Sequence, residues 1–231
     1  MLPKNTPRHV AIIMDGNRRW AKQNGFASIV GHKAGLQAIY TLVEAAQSCS
    51  VHYVTLFAFS QENWQRPSND IQGLRRLINQ TIMQAAHKLL DSNVKLETIG
   101  DISFLGNKVR QKLDELILSS QQNTGLTLNI AINYSGRWDI VKAASSIMSK
   151  YKTCDNKIDE ELFSQHMCLS HLPDVDLLIR TSGEKRISNF LLWQLAYAEL
   201  YFSDVLWPNF TASDFELALE SFALRNRRFG K

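Results

Sequence analysis

Cysteine is scarce in this sequence, and its few copies are poorly placed for structural chemistry. Cys49, Cys154 and Cys168 are odd in number and form no CxxC pair. That argues against a disulfide framework or a zinc site and for a reducing compartment. Long apolar runs are missing too. No stretch approaches the ~20 continuous apolar residues of a membrane span. Met1 to Pro7 lacks the apolar core of a signal peptide. The expected location is therefore cytoplasmic. The phosphate signatures GxGxxG and GxxxxGK are absent, as is the zinc motif HExxH. No Ser/His/Asp order or Cys/His pair stands out for covalent catalysis. No internal repeat, low-complexity tract or long linker divides the chain. Its 231 residues read as one domain, 1–231, long enough to bury a substantial core.

What is present is an ordinary soluble composition, 45% hydrophobic and 21% charged, which suits a packed domain. The net charge of +4 and the cluster Arg225-Asn226-Arg227-Arg228 fit anionic ligands. No nucleic-acid motif accompanies them, so a nucleic-acid partner is not expected.

Strand-like and helix-like segments alternate throughout. Apolar runs at His9 to Met14, Val51 to Phe59, Val94 to Ile99, Leu126 to Ile132 and Val175 to Ile179 read as strands, with a sixth at Leu200 to Val205. Helical patterns occupy Ala34 to Ala46, Ile71 to Leu90, Asn107 to Ser119, Asp139 to Lys150, a stretch holding Leu162, Phe163 and Met167, Ser188 to Ala198, and Ala212 to Leu224. Lys152 to Asp159 reads as a polar connector. The fold class predicted is α/β: a mostly parallel central sheet of about six strands flanked by helices.

Three loops that follow strands carry the chemistry: Asp15 to Trp20, Ser60 to Arg66, and Arg180 to Ser188. In a parallel sheet they share one edge, where ligands bind. In the first, Asp15 reads either as a helix N-cap or as a magnesium ligand beside a phosphate. Gly16, Asn17, Arg18 and Arg19 favour the second reading, since a cap needs none of them. A dehalogenase-like phosphatase would want aspartate where Asn17 stands. Arg180, Arg186 and Ser188 combine two cationic forks with an expected helix start, which suits a diphosphate. Glu199 interrupts an apolar stretch, and a carboxylate there needs a partner, either an arginine or a metal. His32, Ser60, Asn63, Trp20 and Trp64 each have an ordinary structural reading as cap, turn or core residues. The residues alone thus describe a magnesium-assisted diphosphate enzyme with apolar surroundings.

The whole chain resembles the cis-prenyltransferases, and within them the bacterial enzymes that make undecaprenyl diphosphate, the cell-wall lipid carrier precursor. The resemblance is carried by His9 to Asn17, Gly31-His32-Lys33-Ala34-Gly35, Phe57-Ala58-Phe59-Ser60 with Glu62-Asn63-Trp64 and Arg66-Pro67, and Leu126 to Ala131. Gly136-Arg137-Trp138-Asp139, Asp176 to Thr181, Arg186 to Gln194, Ala198-Glu199-Leu200 and Arg227-Arg228-Phe229-Gly230 complete it. The DDxxD motifs of the all-helical trans-prenyltransferases are absent.

The resemblance implies sequential cis condensation of isopentenyl diphosphate onto an allylic primer, normally farnesyl diphosphate, with Mg2+. Asp15 is then the central acid and a magnesium ligand, and Glu199 the second ligand. Gly16, Asn17, Arg18, Arg19 and His32 hold the allylic diphosphate. Trp20 and Trp64 line the prenyl region. Arg180, Arg186, Ser188 and the main chain of Ile187 hold isopentenyl diphosphate. Asn63 is the proton acceptor, with Ser60 and Glu62 beside it and Arg66 steadying it. The product tunnel is expected between the sheet and the helices 34–46 and 71–90, with Ala58 and Leu126 on its floor. The terminal Arg228-Phe229-Gly230 implies a homodimer, and the lipid product implies transient contact with the inner face of a membrane. Two departures stand out: Ser28 replaces the arginine usual three residues before Gly31-His32, and Arg18 replaces a common glycine. Arg18 is expected to supply part of the charge that Ser28 lacks. A scaffold subunit without catalysis is the alternative; the retained Asp15, Asn63, Arg180, Arg186 and Glu199 argue against it. A family enzyme with a different product length is a closer variant.

Overall fold

The first strand, β1 (His9–Ile13), lies inside the sheet with all five residues buried. An apolar, partly β-branched run fits this position, because a parallel strand is covered on both faces. The computed structural model describes residues 5–65, 67–84, 92–151 and 158–225. Arg66, Cys154, most of the 152–159 connector, the end of the helix expected at 71–90, and Arg227 to Gly230 lie outside the described residues.

The other strands are β2 (Tyr53–Ser60), β3 (Lys95–Ile99), β4 (Thr127–Tyr134), β5 (Leu177–Arg180) and β6 (Glu199–Phe202). Their order is β3-β4-β2-β1-β5-β6, and every pairing is parallel. From β1 the chain builds one side of the sheet through β2, and from β5 it builds the other. The strand order thus reverses between β1 and β5, where open α/β sheets leave a crevice at their carboxyl ends.

Seven helices are present among the described residues: α1 (Asn17–Gln23), α2 (Ser28–Ser48), α3 (Ser68–Gln84), α4 (Asn107–Ser120), α5 (Gly136–Lys150), α6 (Glu160–Ser164) and α7 (Ala212–Ala223). Leu42, Ile82, Leu113 and Phe215, from α2, α3, α4 and α7, share one core with Ile12, Leu56 and Leu128 of the sheet. The opposite face is covered by Phe190, Leu191, Leu195 and Trp138. None of the described helices is long and apolar enough to cross a membrane.

The helix expected at Ser188 to Ala198 does not form. The segment runs in consecutive turns, with Ser188, Asn189 and Leu191 at φ 48°, 60° and 41°. Its apolar residues do not need a helix to be buried. Phe190 stacks on Phe57 with ring centroids 4.2 Å apart, and both Phe190 and Leu191 are fully buried. Two other helices start earlier than their apolar periodicity, α2 at Ser28 and α5 at Gly136.

An apolar cavity runs between the sheet and α2, α3 and α4, with about 1060 Å³ of empty space including its mouth. Leu36 and Ile39 of α2 and Leu74, Leu77, Ile78 and Ile82 of α3 form its helical walls. Ala58 lines it, but not at its floor. Ala58 is an unpaired residue at a register shift near the carboxyl end of β2, so it faces the mouth. Leu126 is buried in the same core without lining the cavity. The end far from the mouth is walled by Leu96, Leu113, Leu116 and Leu128.

Candidate active site

Asp15 leaves the sheet two residues after β1, and its main chain is held on both sides. Its N–H donates to Thr181 Oγ1 at 2.9 Å, and its carbonyl accepts from the same hydroxyl at 2.6 Å. Asp15 is not the N-cap of α1. Gly16 is, at φ 108°, where a Cβ would come within 3.0 Å of Leu206. Glycine is needed there for both conformation and space. The carboxylate is thereby free for other work. Oδ1 accepts from Gly16 N at 2.7 Å, and Oδ2 accepts from Arg180 Nη2 at 2.7 Å.

Arg180 ends β5 and is the electrostatic centre of the site. Its side chain is 4% exposed. Nη1 donates to Ser188 Oγ at 2.6 Å and to the carbonyl of Arg186 at 2.5 Å. Nε is buried with no hydrogen-bond partner. A buried guanidinium N–H without an acceptor is costly in a finished structure and useful in one that awaits an anion. Beside it, Glu184 bonds both Arg186 and Arg19, the latter at 2.7 Å. The hydrogen bonds from Arg186 and then Arg19 hold the Glu184 carboxyl below its usual range. Arg19 also donates to the carbonyl of Ser182 at 2.7 Å.

The third loop comes from β2. Residues Gln61–Gln65 form a 3-10 turn, and Asn63 Oδ1 accepts from Ser60 N at 3.3 Å. Glu62 accepts from Asn189 Nδ2 at 2.6 Å. Trp64 donates to Asn133 Oδ1 at 2.8 Å.

One polar cavity gathers Asp15, Asn17, His32, Ser60, Glu62, Asn63, Arg180, Arg186 and Ser188. A basin beside it holds Gly16, Arg18, Arg19, Lys22, Phe26 and Ser28, and shares Asp15, Asn17 and His32. The apolar cavity opens onto the same place through Met14, Asn17, His32, Ala58 and Leu74. Asn17 borders all three spaces, and its Oδ1 is buried without a hydrogen-bond partner. Arg18 reaches Asp70 of α3 at 3.3 Å.

Some expected site residues stand apart. Trp20 and Trp64 line none of these cavities; Trp20 donates to Asn209 Oδ1 at 2.8 Å. Ile187, whose main chain is the part expected at the site, packs its side chain against the core on the opposite sheet face, between Arg186 and Ser188 of the polar cavity. Arg66 lies outside the described residues. Glu199 begins β6, in register with Leu177, whereas Asp15 lies two residues beyond Ile13, the partner of Arg180. Five register steps of ~3.3 Å put about 16 Å along the strands between them, so one ion cannot touch both within one chain. Glu199 instead accepts from Arg225 at 2.8 Å. Three residues that the sequence reading passed over complete the site. Thr181 pins Asp15, Glu184 bridges two arginines, and Asn189 ties two loops together.

No group of three or more metal-binding side chains occurs among the described residues. Magnesium does not need one. It is commonly held by one or two carboxylates, water and the oxygens of a substrate phosphate. Asp15, partly exposed in an arginine-lined cavity, fits that donor set.

Comparison with known proteins identifies the family of the chain. The family model described as "Putative undecaprenyl diphosphate synthase" matches residues 13–230. The chain is 48% identical to the farnesyl-diphosphate-specific ditrans,polycis-undecaprenyl-diphosphate synthase of Escherichia coli K12, covering 99% of this chain and 92% of the relative. The Haemophilus influenzae synthase of the same description is also 48% identical, over 98% of this chain and 96% of its own. Among solved structures, lavandulyl diphosphate synthase from Lavandula x intermedia, in complex with dimethylallyl diphosphate, superposes with a TM-score of 0.93 at 35% identity. The match covers 98% of this chain and 99% of that one. A "probable undecaprenyl diphosphate synthase" from Campylobacter jejuni gives 0.83 at 36% identity, covering 98% and 100%.

Proposed function

The chain belongs to the cis-prenyltransferase family, that of the undecaprenyl diphosphate synthases, and from this premise we propose that it condenses isopentenyl diphosphate repeatedly onto farnesyl diphosphate to make undecaprenyl diphosphate. The observation that carries the reading is the Asp15–Arg180 pair, set between two arginine-lined spaces at the mouth of an apolar cavity.

The allylic diphosphate occupies the basin of Gly16 to Arg19 and His32. The diphosphate of the second substrate binds Arg180, Arg186 and Ser188, and the unpaired Nε of Arg180 supplies one donor. Arg180 then exchanges part of its bonding with Asp15 for phosphate oxygen. In each cycle the terminal alkene carbon of isopentenyl diphosphate bonds to C1 of the allylic partner. The C1–O bond breaks, diphosphate departs, and the isopentenyl unit loses a proton from its C2. Arg18 and Arg19 stabilise the charge that grows on the leaving group. Magnesium, held by Asp15 and phosphate oxygens, would add to that neutralisation. Holding both substrates side by side in adjoining spaces removes up to ~7–11 kcal/mol of barrier. Asn63 and Ser60 face the proton that is lost; a neutral amide is a weak base, so they relay or orient it toward diphosphate oxygen. The growing chain enters the apolar cavity past Ala58.

The enzyme acts as a homodimer in the cytoplasm and touches the membrane surface to release its lipid product. The test of the reaction is pyrophosphate release. It should require both substrates, match the isopentenyl diphosphate consumed and stop when magnesium is chelated. No release with both substrates present refutes the assignment and favours a scaffold role.

A further inference from the structure

We infer that Asn189 is a positioning residue that holds the isopentenyl-diphosphate loop and the Ser60–Gln65 loop in one register. The inference rests on the prenyl-transfer reading above. These loops follow β5 and β2, which are separated by β1. Both strands pair with β1, which fixes where the loops leave the sheet. But β2 and β5 do not pair with each other, so no strand pairing joins the loops themselves.

Asn189 supplies the link. It stands at φ 60°, beside Ser188 at φ 48°. Asparagine tolerates this left-handed region better than most residues. Its carbonyl accepts from Gly136 N at 2.6 Å, and its Oδ1 accepts from Arg137 N at 2.9 Å. Both are orphan donors at the start of α5, so the turn is fastened to a helix end. That bond assigns Oδ1 as the acceptor and leaves Nδ2 to donate, which it does to Glu62 Oε1 at 2.6 Å.

A polar chain results. Asp15 bonds Arg180, Arg180 bonds Ser188, the peptide continues to Asn189, Asn189 bonds Glu62, and the peptide continues to Asn63. One end is where the carbon–oxygen bond breaks, and the other is where the proton leaves. The Asn189–Glu62 bond is exposed, and exposed charged contacts add little to stability. A displacement of about 1 Å in a reacting group, by contrast, costs on the order of a hundredfold in rate. The bond therefore matters to geometry more than to folding.

Asn189→Asp separates the roles. It keeps the acceptor for Arg137 N and a residue that tolerates positive φ, but sets a carboxylate against Glu62. We expect kcat to fall about tenfold or more while the KM for isopentenyl diphosphate shifts less than about threefold. Adding Glu62→Gln restores a donor opposite the new carboxylate and should recover most of the lost kcat over the single variant. Asn189→Gly keeps the turn, removes both side-chain bonds and should lose kcat similarly. The inference is overturned if Asn189→Asp or Asn189→Gly turns over like the wild type. It is also overturned if Glu62→Gln gives no recovery in folded Asn189→Asp protein. Inactive wild-type protein refutes the reaction assignment instead, and the inference with it.

Discussion

Arg180 donates to Asp15 across the boundary between β5 and β1 at 2.7 Å, and the arginine is the buried member of the pair, 4% exposed against 34%. A buried guanidinium beside a partly open carboxylate can exchange acceptors. Asp15→Ala leaves that cation short of a partner. Breaking a fully buried pair costs about 3–5 kcal/mol, and the exposure of Asp15 reduces this to the order of 1–2 kcal/mol. Turnover should fall by at least about a hundredfold. Thermal unfolding and steady-state kinetics measure the two effects separately.

Ser182 offers a stabilising change. It sits at φ 74°, and its buried Oγ has no hydrogen-bond partner. Ser182→Gly relieves both and keeps the carbonyl that Arg19 uses. A net gain of about 1 kcal/mol, or a Tm higher by ~2–4 °C, is expected in calorimetry.

His9 gives the fold a pH dependence. Its Nδ1 donates to the Pro173 carbonyl at 2.8 Å, and Nε2 lies 2.8 Å from Thr55 Oγ1. Burial lowers its pKa below the ordinary 6.5, outweighing the Pro173 bond and the Asp176 charge. The neutral ring is the one that the fold prefers. Its contribution is complete above pH 6.5 and is lost as pH falls through the lowered folded pKa. The Tm should drop on acidification below pH 6.5, and His9→Gln should flatten that slope in urea titrations across pH.

Arg18 and Ser28 line the same basin. If Arg18 replaces the missing charge at Ser28, Arg18→Gly raises the KM for farnesyl diphosphate several-fold. Its exposed bridge to Asp70 predicts a stability change of only ~0–1 kcal/mol. An unchanged KM removes Arg18 from the allylic site.

Ala58 stands at the entrance of the apolar cavity, so Ala58→Leu narrows it for every growing chain. The expected outcome on thin-layer analysis is a shift to short products with the first condensation retained. Full-length product from this variant contradicts the path assigned to the chain.

Much of this architecture was legible in the residues. Apolar runs that end in charged loops gave a parallel sheet with its chemistry at one edge, and Asp15, Ser60, Asn63, Arg180, Arg186 and Ser188 do meet there. The turns at 188–198 were not legible, because Phe190 and Leu191 look like helix core and nothing in the identity of Ser188 or Leu191 announces positive φ. Asn189 was missed with them. Glu199 is instructive in another way. It directly precedes the run Leu200 to Val205, and a residue before a parallel strand lies at the edge opposite to a residue after one. The order along the chain already set it apart from Asp15. Ala58 needed the register, since an unpaired strand residue leaves no mark in composition.

The most direct test of the account is to incubate the protein with farnesyl diphosphate, labelled isopentenyl diphosphate and magnesium, and to size the product. A single dominant polyprenyl diphosphate of undecaprenyl length, with cis geometry in each added unit, is the predicted result. A product that stops after one or two additions, or no labelled product, contradicts it.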